Sequence, residues 1–370
     1  MKFVCNTKIL SEACLNVQRV VSTKSTILAI EGILMKAEGS TLTLTGYDLE
    51  VGMTTTLDVK VIEPGSIVLD SRIFCDILRN LPDDMVTVEV DSHGLSKITC
   101  GDIRYKLGGI SASEYPELPK VYESLPVNIN SSVLEDMIKK TGFAAANANS
   151  QHKNLQGIKF EITNNQIRLV ALDGYRMAIR TEKINYNGED ISFVVPTKTL
   201  SEVVKLLVRE ETTSLNVAKR HIVFKIGDYE IISRLLDKNN LDYRAGIPNK
   251  WNIEVEVDIP EFINSVERTS LLITNDRTKI PLNCRFEDGR IKISVVNSSI
   301  GSSEDSISAK ITGEGVHIGI DNRFLLDALK ASVNEDVLIK LNGPFDPISI
   351  VPKTGEKFFY LILPVRLRNY

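Results

Sequence analysis

Three stretches of the chain decide its architecture: 71–79 (SRIFCDILR), 197–205 (TKTLSEVVK) and 322–330 (NRFLLDALK). Their starts are separated by 126 residues (197 − 71) and 125 residues (322 − 197). Each begins with Ser, Thr or Asn, whose side-chain oxygen can accept a free backbone N–H at a helix N-terminus. Because similar segments at a fixed period mark a repeated structural unit, the spacing predicts three copies of one domain.

Each of these predicted helices has an apolar face and an opposite basic face, at about 100° of rotation per residue. The apolar stripes are Ile73, Phe74, Ile77 and Leu78; Leu200, Val203, Val204 and Leu207; and Phe324, Leu325, Ala328 and Leu329. The basic pairs are Arg72 and Arg79, Lys198 and Lys205, and Arg323 and Lys330. A cation in the first turn opposes the helix dipole, so local helix energetics do not explain the first member of each pair. One such face is normally just solvated, but three coincident copies favour a polyanionic ligand.

The repeat extends beyond these helices. A second predicted helix begins upstream of each, near Thr7, Ser131 and Asp258, at separations of 64, 66 and 64 residues (71 − 7, 197 − 131, 322 − 258). Alternating β-branched runs, typical of antiparallel hairpins, lie between the paired helices. These runs are 41–55, 167–181 and 291–305. The sequence therefore predicts an α+β fold of three similar domains, each with two helices packed on antiparallel β-sheet. The predicted domains are 1–120, 127–246 and 250–370.

Composition excludes several classes of protein. The 370-residue chain has a formal net charge of −4, so it is not a generally basic DNA-coating protein, and any nucleic-acid contact must come from local clusters of cations. Its five cysteines are odd in number and none forms a CxxC pair, which indicates reduced thiols in a cytoplasmic protein. The N-terminal segment lacks a hydrophobic signal core, and no apolar run is long enough to span a bilayer.

Signals for catalysis are weak. The four histidines have no metal-ligand spacing, and neither a phosphate-binding loop motif nor a nucleophile elbow occurs, so we expect no metal and no cofactor. The segment GEGVHIG at 313–319 is predicted to be a glycine-rich loop between strands. Two alternatives to a nucleic-acid scaffold stay open: an enzyme whose site is dispersed in the sequence, and a monomeric three-domain scaffold for another polyanion.

Four motifs carry a resemblance to a known family: SASEYPELP at 111–119, LDGYRMA at 172–178, VVPTKTL at 194–200 and LILPVRL at 361–367. Together with the threefold repeat, they resemble the bacterial sliding clamp family, the beta subunit of DNA polymerase III, over the whole chain. The resemblance implies a homodimer whose six domains close head-to-tail into a ring, with helices around the hole. It also implies a processivity factor that encircles duplex DNA and is an accessory subunit of the polymerase without catalysis of its own.

Such a ring would turn the repeated cations toward DNA phosphates, in contacts that are independent of sequence and weakened by salt. Lys24 and the loop residues Gln151, His152 and Lys153 resemble further contacts at the face of the ring. The predicted DNA-binding residues are Lys24, Arg72, Arg79, Gln151, His152, Lys153, Lys198, Lys205, Arg323 and Lys330. An ordinary surface-loop position is the alternative for His152.

The resemblance also implies where two copies of the chain meet. Tyr105 and Leu107 of the first domain would contact Leu271 and Leu272 of the third domain of the other copy. Charged neighbours are expected to pair across this seam, with little effect on its strength. These neighbours are Arg104 and Lys106 on one side, and Glu304 and Asp305 on the other. The alternative is that the four apolar residues are ordinary core positions.

Between the second and third domains, the resemblance implies a pocket for a short apolar or aromatic motif. The motif would be carried by the replicative polymerase catalytic subunit, the clamp loader, translesion polymerases and mismatch-repair proteins. Asp-Gly at 173–174 predicts a hairpin turn, and the Tyr-Arg-Met that follows suits the binding of short peptides. The predicted pocket residues are Leu155, Leu172, Gly174, Tyr175, Arg176, Met177, Ile247, Ile348, Ile350, Ile362, Leu363, Pro364, Val365, Arg366 and Leu367.

Three features depart from the family pattern and bear on this pocket. Tyr175 stands where many members have His, and Leu241 replaces a common proline at the second interdomain join. The chain also continues through Arg368, Asn369 and Tyr370 beyond the usual Arg-Leu end, and this tail could partly cover the pocket.

Overall fold

The computed structural model describes residues 1–121, 126–163, 165–207, 211–237, 242–273 and 280–367. Leu241 and the tail from Arg368 to Tyr370 lie outside these residues. The chain forms two compact units: Met1–Ser132 with Lys198–Leu235, and Val133–Thr197 with Leu236–Tyr370. The residues of the central repeat are therefore shared between the two units.

The described residues contain six α-helices, two in each sequence repeat. They are α1 (Thr7–Gln18), α2 (Ser71–Asn80), α3 (Ser131–Gly142), α4 (Thr197–Leu207), α5 (Ile259–Thr269) and α6 (Asn322–Ala331). The predicted helices are all confirmed, but in most of them the capping residue lies one position before the predicted one. Asn6, Asp70, Asn130 and Asp321 supply the capping oxygen of α1, α2, α3 and α6, and they accept from backbone N–H groups of the first turn. The predicted cap of α5, Asp258, is confirmed.

Most residues of the predicted apolar stripes are buried, although Ile77, Val204 and Phe324 are half-buried and one residue of α2 is exposed. Phe74 and Leu78 are buried, but the side chain of Ile73 is 48% exposed. Cys75 takes the buried place instead, because the buried residues of α2 are Ser71, Phe74, Cys75 and Leu78. This spacing of three and four residues is the period of one helix face.

The first unit contains two antiparallel sheets. Its strands are β1 (Lys2–Asn6), β2 (Gly32–Glu38), β3 (Thr41–Tyr47), β4 (Val51–Asp58), β5 (Lys60–Glu63), β6 (Gly65–Asp70), β7 (Met85–Val90), β8 (Leu95–Cys100), β9 (Ile103–Gly108), β10 (Val127–Asn130), β15 (Thr212–Val217), β16 (His221–Ile226) and β17 (Tyr229–Arg234). The five-stranded sheet has the order β5-β1-β7-β8-β9 and the eight-stranded sheet the order β10-β15-β16-β17-β4-β3-β2-β6. Helices α1 and α2 pack against each other, and α1 also packs on β3 and β4.

The second unit is built in the same way. Its strands are β11 (Gly157–Thr163), β12 (Gln166–Leu172), β13 (Arg176–Lys183), β14 (Ile191–Pro196), β18 (Ile253–Glu256), β19 (Leu282–Glu287), β20 (Arg290–Asn297), β21 (Gly301–Ser308), β22 (Lys310–Thr312), β23 (Val316–Ile320), β24 (Val337–Leu341), β25 (Ile348–Pro352) and β26 (Phe358–Ile362). They form a nine-stranded sheet, β14-β11-β12-β13-β26-β25-β24-β18-β22, and a four-stranded sheet, β21-β20-β19-β23. Helices α5 and α6 pack against each other, and α5 packs on β20 and β21.

Two of the sheets join strands that are distant in sequence. In the first unit β4 pairs with β17, with Thr55 opposite Tyr229. In the second unit β13 pairs with β26, with Arg176 opposite Ile362. Each pairing links strands of successive repeats, so the sheets are continuous where the sequence repeats change.

An equivalent hairpin turn occurs in each repeat. In the second repeat it is the turn at 173–175, which includes predicted pocket residues. The side-chain oxygen Oδ1 accepts backbone N–H bonds at Asp48, from Glu50 and Val51, and at Asp173, from Tyr175 and Arg176. In the third repeat, Asn297 Oδ1 accepts from the Ser299 N–H at 3.1 Å. These side chains fix each turn, as Asp and Asn do elsewhere by bonding to the backbone just ahead of them.

Candidate nucleic-acid interface and partner pocket

The six repeated cations all lie on exposed helix faces, two on each of α2, α4 and α6. They are Arg72, Arg79, Lys198, Lys205, Arg323 and Lys330. Their exposure follows from the apolar stripes, which bury the opposite faces. The structure thus presents these cations to solvent, where a ligand could reach them.

Carboxylates of the same unit pair with five of these cations. The pairs are Arg79 with Asp76 (3.1 Å), Lys198 with Asp48 (2.5 Å), Lys205 with Glu202 (2.7 Å), Arg323 with Asp321 (3.6 Å) and Lys330 with Glu267 (2.7 Å). Within the part of the chain that the structure describes, Arg72 forms no salt bridge. None of the five carboxylates was predicted to pair with these cations, although the spacing of three residues in α2 and α4 is typical of helix ion pairs.

The additional predicted DNA contacts are also exposed. Lys24 lies in the first unit between α1 and a short 3-10 helix, Leu28–Glu31. In the second unit, Gln151, His152 and Lys153 precede or begin the 3-10 helix Lys153–Leu155. The side chain of Gln156 donates to the carbonyls of Ala148 and Ser150 and so fixes the shape of this loop.

A groove between α1 and α2 adds two basic residues that the sequence reasoning missed. Lys8 of α1 and Arg19, which directly follows α1, line this groove together with Arg79 of α2. Both added residues are exposed, and they lie about three helical turns apart. Basic side chains therefore line both sides of this groove, together with the acidic Glu12 and Asp83.

The turn at 173–175 is held to α6 by Arg176, the first residue of β13. The guanidinium is 3.1 Å from Asp173 and 2.6 Å from Asp327 of α6, and it lies 4.4 Å from the centre of the Phe324 ring. The side chain of Arg176 is only 12% exposed. The structure therefore gives Arg176 internal partners, and its contact with a partner peptide stays a prediction. Tyr175 is 62% exposed, with its ring stacked 6.5 Å from that of Phe324.

Next to this turn, six apolar side chains form two rows across β12, β13 and β26. Strand register places Leu172, Met177 and Leu361 in one row, and Val170, Ile179 and Phe359 in the next. Tyr243 and Ile247, which follow β17 in the chain, pack against these rows. We name these eight residues the β13 apolar cluster. Leu172, Ile247 and Phe359 are only half-buried, so the cluster has an accessible apolar surface.

A small groove adjoins the cluster. Leu155, predicted from the sequence, lines this groove together with Val170, Leu172 and Tyr243. The hydroxyl of Tyr243 donates to Glu161 at 2.8 Å, which anchors the ring over the sheet. Burial raises the pKa of the Glu161 carboxyl, but hydrogen bonds from Lys159 and Tyr243 outweigh it, and the pKa is lowered overall.

Three predicted pocket residues are on the other face of the sheet. Ile348, Ile350 and Ile362 are at most 2% exposed. Ile362 lies opposite Ile348 and Arg176, and Arg176 faces α6. The expectation that these residues form the wall of the pocket is therefore corrected. Side chains alternate along a strand, so an error of one position reverses the face. Leu361, Val170, Ile179 and Tyr243, which were not predicted, belong to the β13 apolar cluster on the opposite face.

The C-terminal segment runs from this sheet to β23. The Leu363 N–H donates to the Tyr175 carbonyl at 2.8 Å, and the Val365 N–H donates to the Gly319 carbonyl at 2.8 Å. A Cβ atom at Gly319 would lie 2.4 Å from the Val365 oxygen and 2.7 Å from the side chain of Leu367. Gly319 therefore permits this close crossing.

Only 313–315 of the predicted glycine-rich loop are outside a strand, because β23 begins at Val316.

The four predicted dimer residues are in accessible places. Tyr105 and Leu107 are on β9, an edge strand of the five-stranded sheet, and Leu271 and Leu272 are in a 3-10 helix that follows α5. Leu271 is 80% exposed. Asp305 was expected to pair with another copy, but its oxygens already accept from Arg268 and from the Ser306 backbone. Glu304 is exposed.

Two classes of site are not found among the described residues. No described helix is long and apolar enough to cross a membrane. Within the same residues, no three His, Cys, Asp or Glu side chains are arranged to hold a metal ion.

Comparison with known proteins identifies the family of this chain. The models of the N-terminal, central and C-terminal domains of the DNA polymerase III beta subunit match residues 1–119, 128–240 and 244–366. The chain belongs to this family. It is 30% identical to the beta sliding clamp of Bacillus subtilis, over 99% of this chain and 100% of the relative. It is 28% identical to that of Synechococcus elongatus, over the full length of both.

Solved structures agree with this assignment. The sliding clamp structure from Bacillus subtilis superposes with a TM-score of 0.96 at 29% identity and covers all of both chains. A putative beta subunit from Eubacterium rectale gives 0.94 at 30% identity, over 99% of this chain and all of the other. The chain therefore has the three-domain fold of the sliding clamps, with helices and antiparallel sheets as predicted.

Proposed function

We propose that this chain is a sliding clamp that encircles duplex DNA and tethers the replicative polymerase as its processivity factor. The observation that carries the proposal is the repetition of exposed cations on α2, α4 and α6 in a member of the clamp family. The chain acts as a cytoplasmic, non-catalytic accessory subunit of DNA polymerase III. Its contacts with DNA use the phosphate backbone, so they are independent of base sequence.

The assembly we propose is a homodimer closed head-to-tail. Strand β9 is an edge of one sheet and β21 an edge of another, and an unpaired edge can accept a strand from a second chain. Two such contacts, each joining β9 of one copy to β21 of the other, would close the pair. Tyr105, Leu107, Leu271 and Leu272 would supply the apolar contacts of each seam.

The experiment that tests encirclement compares retention on closed and open DNA. The protein is loaded onto a nicked circular duplex, and half of the sample is then linearised with a restriction enzyme. Encirclement predicts retention on the circle and rapid release from linear DNA at physiological salt. Equal retention on both would refute it. A light-scattering mass of one chain rather than two, with and without DNA, would favour the monomeric scaffold instead.

The cations are tested by charge reversal. Arg72→Glu with Lys198→Glu is expected to reduce loading and duplex affinity at low salt, because two phosphate contacts become repulsive. The matched control is Lys225→Glu with Lys310→Glu, which changes the net charge equally at exposed strand positions. An equal loss in both variants would show that net charge, rather than the helix faces, determines binding.

For partners, we propose that the β13 apolar cluster, the turn at 173–175 and the C-terminal segment form one docking pocket. Its accessible surface is apolar and small, which suits a short motif anchored by one or two apolar or aromatic side chains. The polymerase catalytic subunit, the clamp loader, translesion polymerases and mismatch-repair proteins would share it in turn. Deleting residues 363–370 is expected to abolish polymerase stimulation while retention on circular DNA persists. Full processive synthesis by this variant would show that partners dock elsewhere.

A further inference from the structure

The carboxylates that face the helix cations suggest how tightly this surface holds DNA. Five of the six cations have an acidic partner within 3.6 Å. Two of these acids have a second task in the backbone: Asp48 holds a hairpin turn, and Asp321 caps α6. The remaining three are Asp76 on α2, Glu202 on α4 and Glu267 on α5.

Among the described residues, no capping or turn contact of these three side chains explains their position. Asp76 and Glu267 are exposed, and exposed pairs contribute little to stability, so the effect of these two acids on folding is small. Glu202 is mostly buried. The effect of the three acids on a phosphate is different, because a phosphate that approaches the cation must displace a carboxylate already bound there. The displaced carboxylate stays near the phosphate and repels it.

The displacement of a carboxylate by a phosphate lowers the affinity for DNA. It also makes that affinity depend less on salt. A free cation that binds DNA releases condensed counterions from the duplex, which is the main source of affinity at low salt. A cation with an internal acid gains less, because one favourable ion pair replaces another. Retention by an encircling ring does not need strong contacts, and weak contacts allow movement along the duplex.

We propose, on the basis of the proposed function, that Asp76, Glu202 and Glu267 compete with DNA phosphate for the helix cations. This competition keeps the affinity for duplex DNA low. They are determinants of DNA affinity and sliding rate without touching DNA themselves. The ligand of the helix cations is the phosphate backbone of duplex DNA. The three acids belong to three different helices, so the weakening applies in every repeat.

The test is the triple variant Asp76→Asn, Glu202→Gln and Glu267→Gln. The matched control is Glu89→Gln, Glu230→Gln and Glu256→Gln, which removes three carboxylates that pair with lysines on strands. Both variants lose three negative charges per chain, so their net charges change equally. Affinity for a linear 40-base-pair duplex is measured by fluorescence anisotropy at several salt concentrations, and diffusion on circular DNA is measured by single-molecule tracking.

The triple variant is expected to bind linear duplex roughly 3- to 125-fold more tightly than the control at low salt, given about 1.4- to 5-fold for each of the three pairs. Its affinity should fall more steeply with salt, and its diffusion should slow. Equal affinity in the two variants would overturn the proposal. Glu202 is mostly buried, so its replacement could destabilise the protein. If the triple variant melts well below the unmodified protein, the double variant Asp76→Asn and Glu267→Gln is used instead.

The Arg72→Glu and Lys198→Glu variant distinguishes failure of the competing role of the acids from failure of the proposed DNA contacts. If charge reversal weakens binding but the triple variant equals its control, the cations contact DNA and only the competing role of the acids is wrong. If charge reversal also has no effect, the proposed DNA contacts themselves are wrong.

Discussion

Replacing Gly319 with Ala is expected to detach the C-terminal segment from β23 and leave the rest of the protein folded. The new Cβ would lie 2.4 Å from the Val365 oxygen, whereas real Cβ atoms essentially never approach closer than 3.0 Å, so the segment must move by at least 0.6 Å (3.0 − 2.4). The nearest atoms to this Cβ all belong to Val365 and Leu367. The strain is therefore released by the segment and not by the core.

The energetic cost of detachment comes from two interactions of the C-terminal segment. The hydrogen bond from the Val365 N–H to the Gly319 carbonyl contributes about 0.5–1.5 kcal/mol. Partial loss of the burial of the half-buried Leu367 adds about 1 kcal/mol. If partner binding requires the segment in place, a total of about 1.5–2.5 kcal/mol corresponds to roughly 10- to 70-fold weaker binding.

The assay has two readouts. Hydrogen exchange should show lost protection at the Val365 amide, and binding of the polymerase catalytic subunit should weaken with a matching loss of processive synthesis. Gly142→Ala is the control, because its Cβ would make only an ordinary contact, 3.6 Å from Ile158. Lost protection at Val365 with unchanged polymerase binding would refute the role of the segment in the pocket.

Three further predictions concern stability and assembly. Arg180→Met should destabilise the second unit by about 2–4 kcal/mol in urea unfolding, because Arg180 is buried and bonded to Asp136 and Glu335; an unchanged midpoint would contradict this. Burial raises the pKa of Glu335, but the hydrogen bond from Arg180 and nearby lysines lower it overall, so the folded state binds fewer protons than the unfolded state. The stability from Glu335 is present above the unfolded pKa of about 4.3 and is lost as the pH falls through the lower folded value; Glu335→Gln should flatten this acid-side decline. Leu272→Ala should shift the protein toward monomer by light scattering with its circular dichroism unchanged, whereas a dimer that persists at nanomolar concentration would argue against this seam.

The helices and hairpins were predictable because their signals are local. Alternation along 167–181 and the Asp-Gly pair at 173–174 placed β12, β13 and their turn correctly. Helix starts were displaced by one residue because Asp70 and Ser71 are both good capping residues, and only the backbone shows which side chain accepts. The joining of β4 to β17 could not be predicted, since nothing in either strand specifies a partner more than 170 residues away (229 − 55).

The residues predicted for the candidate pocket are only partly brought together by the structure. Leu172 and Met177, expected by resemblance, belong to the β13 apolar cluster, and Leu155 lines the groove beside it. On β26, Leu361 lies in the cluster, whereas the predicted Ile362 lies on the other face. Arg176 was expected to contact a partner peptide, because the sequence does not show that Asp327 lies beside it. Ion pairs between distant segments are three-dimensional facts of this kind.

The pairing of β4 with β17 also has a consequence for synthesis of the chain on the ribosome. The first repeat can form its five-stranded sheet as it emerges, but β4 keeps an open edge until residue 234 has left the exit tunnel. Likewise, β13 must wait for β26, which ends at Ile362, near the end of the chain. A truncated product that stops between these points exposes an unpaired strand, so incomplete chains are targets for chaperones and proteases. A fragment cut at a repeat boundary is therefore a poor choice for expression, whereas the full-length chain closes both sheets.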